Sequence, residues 1–381
     1  MLLTFQLVFV LLIASSIVFY AWCAIATIRF FPSTKTKTSL ETSFHPPASI
    51  LIPVSGIDEG ALDNWLSFCQ QDYEHYEVVF GVMNSKDLAV PVLEKIVAMF
   101  PNRARLIFCT EVRGINYQIS NLMHLLEAAR HEIIVLTNDD MRVKPEYLRR
   151  VIAPLSDASV GIVTCGYLGH NPKFPTAAIA SLGRCVDFIP SVLVARDLEG
   201  GMQFALGATM ATRKSLLQKV NGLPSVANRV GSDYHIGNLV VNEGYRIELS
   251  PYILETDSGN ESLQQLLRRE LRWARTSRWQ RGLLYYSIAT TYGTVYCLPL
   301  LLLSGFQNWA LLLSGSAIVL RAIQSLVAIF WMDAPKLARW FWLLPIRDLL
   351  NFGIWVAGGI GQSIYWRGRQ LKIGVGGILT D

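Results

Sequence analysis

The feature that most constrains this chain is the run of residues 4–27, which contains no charged side chain. About 20 apolar residues suffice for a helix to cross the hydrocarbon core of a bilayer. The run lacks the basic start of a signal peptide, and Arg29 follows it directly. It reads as an uncleaved anchor, and the basic residues behind it place the next segment on the cytosolic side.

A second apolar block lies near the other end. Residues 286–304 and 309–332 each have the length of a span, with a tight turn expected at 305–308. Arg321 interrupts the second of these, and a charge at that depth must face protein, water or a partner. Residues 340–344 read as interfacial and 349–366 as a shorter further span, so four spans are expected in all. Apolar residues make up 51% of the chain and charged ones 17%, and the apolar excess sits in these two blocks. The expected organisation is an anchor at 1–30, a polar linker at 31–48, a cytosolic domain at 49–282, a membrane block at 283–371 and a tail at 372–381.

The formal charge of +5 does not gather into a nucleic-acid stripe. Arg29, Lys35, Lys37, Arg268, Arg269, Arg272, Arg275, Arg278 and Arg281 lie beside apolar segments. That pattern suits anionic lipid headgroups or an ordinary solvated face, and no nucleic-acid partner is expected. The six cysteines show neither metal-ligand nor disulfide-framework spacing.

Between the blocks, short apolar runs at 49–54, 76–83, 105–110, 131–137, 159–167, 203–212 and 245–253 read as strands. Helical patterns at 60–71, 90–100, 118–129 and 232–242 separate several of them. The fold class expected is α/β, a mostly parallel sheet covered on both faces. In such sheets ligands bind beyond the carboxyl ends of the strands. Polar residues fall at those ends: Pro53, Ser55 and Gly56, then Asp87, then Asn138, Asp139 and Asp140, and later Asp233.

Adjacent acids at a strand end can hold a hard divalent ion that bridges phosphates. Asn138 and Asp140 would share one face of an extended chain, although a solvated loop or a helix cap explains the same residues. Asp233 is either a general base or the cap of the helix behind it. Arg269 and Trp273 are four apart on one helical face, with Arg272 beside them. They suit either phosphate and sugar binding or a plain interfacial helix. Gly114, Asn116 and Asn121 either cradle a nucleotide or form a turn and helix start.

The order of these motifs says more than any one of them. Asp87, Asn138-Asp139-Asp140, Asp233 within Gly231-Ser232-Asp233-Tyr234-His235, and Arg269-Glu270-Leu271-Arg272-Trp273 together resemble the membrane-bound ceramide glucosyltransferase family. Ser67-Phe68-Cys69-Gln70-Gln71-Asp72-Tyr73, residues 190–196 and residues 270–276 look closer to its bacterial hopanoid-biosynthesis branch. The resemblance runs from about Pro47 to Arg369.

It implies a GT-A (Rossmann-like) nucleotide-sugar domain, a UDP-sugar donor, a divalent metal ion (Mg2+ or Mn2+) and a membrane lipid acceptor. It also implies a multi-pass protein of the bacterial inner membrane with its catalytic domain on the cytosolic side. For the hopanoid branch the implied reaction is inverting transfer of N-acetylglucosamine to a hopanoid alcohol. The ceramide branch implies glucose and a sphingolipid. The resemblance assigns Asp87 to the nucleotide, Asp140 to the metal, Asp233 to the base, and Arg269, Arg272 and Trp273 to the donor diphosphate. Asn138, Ile52, Gln118 and Ile189 depart from the family pattern, which has Asp, Lys, Lys and, in the ceramide enzymes, His at those places. A polysaccharide synthase of similar fold and a non-catalytic nucleotide-sugar or lipid-binding protein are the other readings.

Overall fold

The computed structural model describes residues 2–31, 44–257, 259, 261–366 and 368–380. The expected linker at 31–48, with Lys35 and Lys37, falls mainly on residues 32–43, outside the described residues.

The strands are β1 (Ala48–Val54), β2 (Tyr76–Val82), β3 (Ala104–Phe108), β4 (Ile133–Thr137), β5 (Met141–Arg142), β6 (Val160–His170), β7 (Thr209–Arg213) and β8 (Arg246–Asp257). They form one eight-stranded sheet in the order β3-β2-β1-β4-β7-β6-β8-β5. β1 pairs parallel with both β2 and β4, and β2 with β3, while β7 runs antiparallel between β4 and β6. Successive residues of β1 and β2 point to opposite faces, and both faces are buried. Ile50, Ile52, Val78 and Phe80 pack into one core, and Leu51 and Val79 into another. Burial on both sides is what the near-continuous apolar runs of a parallel sheet require.

The strand expected at 203–212 forms only at Thr209–Arg213. Thr164 explains the shortening. Its hydroxyl accepts from the Leu206 amide and donates to the carbonyls of Leu206 and Thr209, all at 2.8–2.9 Å. A side chain thus satisfies backbone groups that would otherwise join the ladder.

Both apolar ends of the chain pack together. Helix Leu2–Phe30 lies against Asn308–Trp331 and Gly293–Leu303. Ser16 and Tyr20 hydroxyls donate to the carbonyls of Thr290 and Thr291 at 2.7 and 2.9 Å. The segment expected to span as 286–304 is instead broken. A 3-10 stretch, Gly282–Thr291, precedes the helix Gly293–Leu303, and the bend there is 57°. The segment expected at 349–366 is a 15-residue helix, Leu344–Gly358, followed by a strand. At about 1.5 Å per residue it falls short of the roughly 30 Å hydrocarbon core. Among the described residues three helices are long and apolar enough to cross a membrane: Leu3–Phe30, Pro175–Glu199 and Asn308–Trp331. The broken pair would make four.

Pro175–Glu199 is 83% buried over its most apolar window. It contains a π-helical turn, Gly183–Phe188. Asp187 on that turn meets Arg321 at 2.6 Å and Arg347 at 3.3 Å. Arg321 also holds Asp348 at 2.6 Å, and Arg347 holds Glu270 at 3.1 Å. The expectation that Arg321 faces partners is met by this chain of charges. It ties the membrane helices to Leu263–Arg281, the helix that carries Glu270.

Candidate active site

The strand ends converge through backbone amides. Ser55 donates its amide to Asp139 Oδ2 at 3.2 Å, and Gly56 donates to both carboxylate oxygens of Asp87 at 3.0 Å. Asp87 also accepts from Ala89, so it pins the β1 turn to the start of the helix Val90–Met99. Trp65 Nε1 donates to the Asp139 carbonyl at 3.0 Å. Asn138 Oδ1 accepts from Gln118 Nε2 at 2.8 Å, joining the turn after β4 to the helix Tyr117–Ala128. Pro53 lies buried within β1, opposite Gly81.

Asn116 caps that helix by accepting from the Ile119 amide, and its Nδ2 donates to the Arg229 carbonyl at 2.9 Å. Gly114 has φ +150, and a Cβ there would overlap the Ala227 carbonyl. The glycine therefore lets the loop after β3 lie directly on residues 227–229. Asn121 is in the core rather than in the groove. Its Nδ2 donates to the Gly81 carbonyl at 2.8 Å.

Asp233 stands in the first turn of the helix Ser232–Asn242. It abuts Gly207, where a Cβ would come 3.0 Å from Asp233 Oδ2. β4 and β7 pair antiparallel up to Thr137 and Thr209, and Thr137 Oγ1 donates to the Ala208 carbonyl. Gly207, and Asp233 with it, therefore lies just ahead of the start of β7, which pairs with the end of β4. Burial pushes the Asp233 carboxyl above the ordinary range. Amides of Tyr234, Gly207 and Asp233 itself, and the charge of Arg272, oppose that rise.

Helix Leu263–Arg281 starts at a Ser262–Gln265 capping box. Arg269 Nη1 holds both oxygens of Glu261 at 2.6 and 2.7 Å and its guanidinium packs on Trp273, 5.4 Å from the ring centre. Arg272 lies over Trp366 at 5.5 Å.

Trp366 belongs to an element the sequence did not suggest. Ser363–Trp366, Arg369–Ile373 and Leu379–Thr380 form a small antiparallel sheet. It grips the segment leading to Asp233. Val230 donates to Gly377 and Leu379 to Asn228, at 2.9 and 2.8 Å. The Trp and Gly residues there were legible only as the edge of a span and a tail. Arg367, between the first two strands, lies outside the described residues.

A family model described as glycosyl transferase family 21 matches residues 8–379. The chain belongs to glycosyl transferase family 21. Its family match takes in the strand-end loops, the arginine helix, the membrane helices and the C-terminal sheet alike. Ceramide glucosyltransferase 3 of Caenorhabditis elegans is 25% identical over 249 residues, 62% of this chain and 51% of the worm protein. Ceramide glucosyltransferase 1 of the same organism is 21% identical over 345 residues, 87% of this chain and 72% of that protein. The chain thus spans about half the length of the first of these. The mannosyltransferase PcManGT from Pyrobaculum calidifontis, solved in complex with GDP-Man and Mn2+, superposes with a TM-score of 0.56 at 17% identity. The match covers 94% of this chain and 99% of that one. The family 21 domain here therefore has the GT-A fold.

Among the described residues no group of three or more His, Cys, Asp or Glu gathers into a metal site. The candidate donors in the turn after β4 are fewer, the Asp140 carboxylate and the Asn138 amide oxygen, which already accepts from Gln118 Nε2. That set fits a hard ion which draws most of its oxygens from phosphates and water, as Mg2+ commonly does. It does not fit an ion caged by protein alone.

Proposed function

We propose that this family 21 chain transfers a sugar from a UDP-sugar to a hydroxyl of a membrane lipid, with inversion at the anomeric carbon. The reading is supported by Asp233, which feels the charge of Arg272 and abuts Gly207 just ahead of β7, whose Thr209 pairs with Thr137 immediately before Asn138-Asp139-Asp140. Asp233 takes the proton of the acceptor hydroxyl as its oxygen attacks the anomeric carbon and the bond to the diphosphate breaks. Arg269 and Arg272 bind the charge that develops on the leaving diphosphate, and Trp273 closes over it. Asp140 and Asn138 would hold a divalent ion, which would supply further neutralisation of the diphosphate. Pro53, Ser55, Asp87, Gly114, Asn116 and Asp139 shape the nucleotide side of the groove.

The favoured donor is UDP-N-acetylglucosamine and the favoured acceptor a hopanoid polyol. The sequence resemblance at residues 67–73, 190–196 and 270–276 supports that choice. The similarity to two ceramide glucosyltransferases supports a second reading, UDP-glucose and ceramide. The resemblance to the hopanoid branch supports a bacterial inner-membrane setting, and the anchor 4–27 with the basic residues behind it supports a domain facing the cytosol.

The test is UDP release from UDP-N-acetylglucosamine and UDP-glucose, each offered with a hopanoid polyol or ceramide in detergent. Release with the polyol and the first donor, lost in Asp233→Asn, is the expected result. Equal background release in both proteins with every pair would overturn the proposal.

A further inference from the structure

Arg184 poses a physical problem that its own fold does not solve. It sits on the π-helical turn with 8% of its surface exposed. Its Nε and Nη1 are buried and have no hydrogen-bond partner. A guanidinium keeps its charge at any ordinary pH, and burying it without an acceptor is strongly unfavourable. Its neighbours are aromatic faces: Tyr167 at 4.9 Å and Trp273 at 5.8 Å from the ring centres.

A second guanidinium shares that indole. Arg269 stacks on Trp273 at 5.4 Å, and its Nε and Nη2 are likewise buried and unpartnered. Those two atoms form one edge of the fork, the edge that grips two oxygens of a phosphate. Glu261 engages only Nη1 of Arg269, so both guanidinium groups on this tryptophan keep donors free to hold an anion.

The scaffold holds them in that arrangement. Arg347 binds Asp187, three residues beyond Arg184, and Glu270, next to Arg269. A Cβ at Gly183 would collide with the Arg347 guanidinium, so the glycine lets this side chain pass under the turn. π-turns within helices are rare and concentrate at functional sites. Tyr167 is two residues from Gly169, which pairs with Thr256, and Thr256 pairs with Met141 next to Asp140. The cationic pair therefore lies on the side of the sheet where the acidic turn ends.

We propose that Arg184 and Arg269 form a phosphate clamp across Trp273, and that Arg184 is a contact for the diphosphate of the nucleotide-sugar donor. The choice of donor rests on the function proposed above; the demand for an anion rests on the unpartnered Nε and Nη1 of Arg184 and Nε and Nη2 of Arg269 alone.

The experiment uses the full chain in detergent and titrates UDP, uridine and inorganic pyrophosphate by calorimetry, for wild type, Arg184→Gln and Arg184→Lys. Loss of one charge-assisted contact predicts about a tenfold or greater weakening of UDP and pyrophosphate in Arg184→Gln. Uridine, which has no phosphate, should bind unchanged, and the Lys variant should fall between. Because the lost charge is unpaired, Arg184→Gln without ligand should melt no lower than wild type, while its stabilisation by UDP shrinks. Equal UDP and pyrophosphate affinities in all three proteins would overturn the clamp. So would a lower melting temperature with an unchanged UDP response, which marks a packing role. Wild type that binds pyrophosphate but not UDP, with Arg184→Gln binding neither, would keep the clamp and sink the donor reading. A parallel arm compares nanodiscs of phosphatidylcholine with and without phosphatidylglycerol. If Arg184→Gln abolishes only the stabilisation by phosphatidylglycerol, the phosphate is a lipid headgroup and the donor assignment is overturned.

Discussion

Arg321→Met should be among the most damaging single substitutions outside the groove. Arg321 is 5% exposed, midway along an apolar helix, and every part of its fork is engaged. Nη2 reaches Asp187 and Asp348 at 2.6 Å, Nη1 reaches Gln324 at 2.7 Å, and Nε reaches Asp348 at 3.3 Å. Methionine fills similar space but leaves Asp348 with its Thr294 hydrogen bond and no cation, and Asp187 with Arg347 alone, which Glu270 already shares. Removing one member of a buried ion pair typically costs about 3–5 kcal/mol, mostly the penalty of the orphaned charge. The same logic predicts recovery. Adding Asp187→Asn and Asp348→Asn to Arg321→Met should restore more than half of the loss. The assay is equilibrium unfolding in mixed micelles followed by tryptophan fluorescence. A loss below about 1 kcal/mol, the range of an exposed pair, would refute the reasoning. So would a triple variant no more stable than the single one.

Other consequences are independent of that network. Asp233→Asn should lower transfer about 10²–10⁴-fold, measured as glycolipid formed per enzyme. Burial raises the Asp233 carboxyl, so its ionisation opposes folding. That carboxyl favours the folded state fully below its unfolded pKa, and the advantage disappears as pH rises through its folded pKa. Asp233→Asn should thus melt no lower than wild type at neutral pH, and the acid limb of kcat/KM should fall above the ordinary carboxylate range. Glu77 shifts the other way. Burial would raise it, but the Arg130 amide, Ser49 and Arg105 outweigh that and hold it low. Its contribution to stability is present above the unfolded pKa and is lost as pH falls through the folded one. Glu77→Gln should cost about 1–3 kcal/mol at neutral pH and flatten the acid side of a stability-against-pH curve. Gly114→Ala forces a side chain into positive φ against the Ala227 carbonyl. It should cost about 1–3 kcal/mol and raise KM for the donor, read from initial rates.

Much of the sheet was legible because its strands are short apolar runs closed by Gly, Pro, Asn or Asp. β1, β2, β3 and β4 fall within a few residues of where periodicity placed them. The exceptions have local causes. β7 starts late because Thr164 supplies its missing partners, and two-residue β5 is too short to carry a pattern. Hydropathy found the anchor and the helix around Arg321. It did not show the 57° bend within 286–304 or the end of the last helix at Gly358, because composition does not reveal where a helix bends or stops. The acids and arginines of the groove stood out by type and order. Arg184 and the C-terminal sheet did not, since their roles arise from contacts between residues far apart in the chain. Asn121 shows the reverse: an amide that reads as a ligand contact but fastens helix to strand in the core.

The most direct measurement is an experimental structure of the full chain with a UDP-sugar and Mn2+ in a lipid nanodisc. The account predicts the diphosphate between Asp140 and Arg272, with the Asp233 carboxylate open to the acceptor side and within about 3 Å of where a lipid hydroxyl would attack. A nucleotide bound away from the β4 turn, or an Asp233 facing a surface that Asp140 and Arg272 do not share, would contradict it.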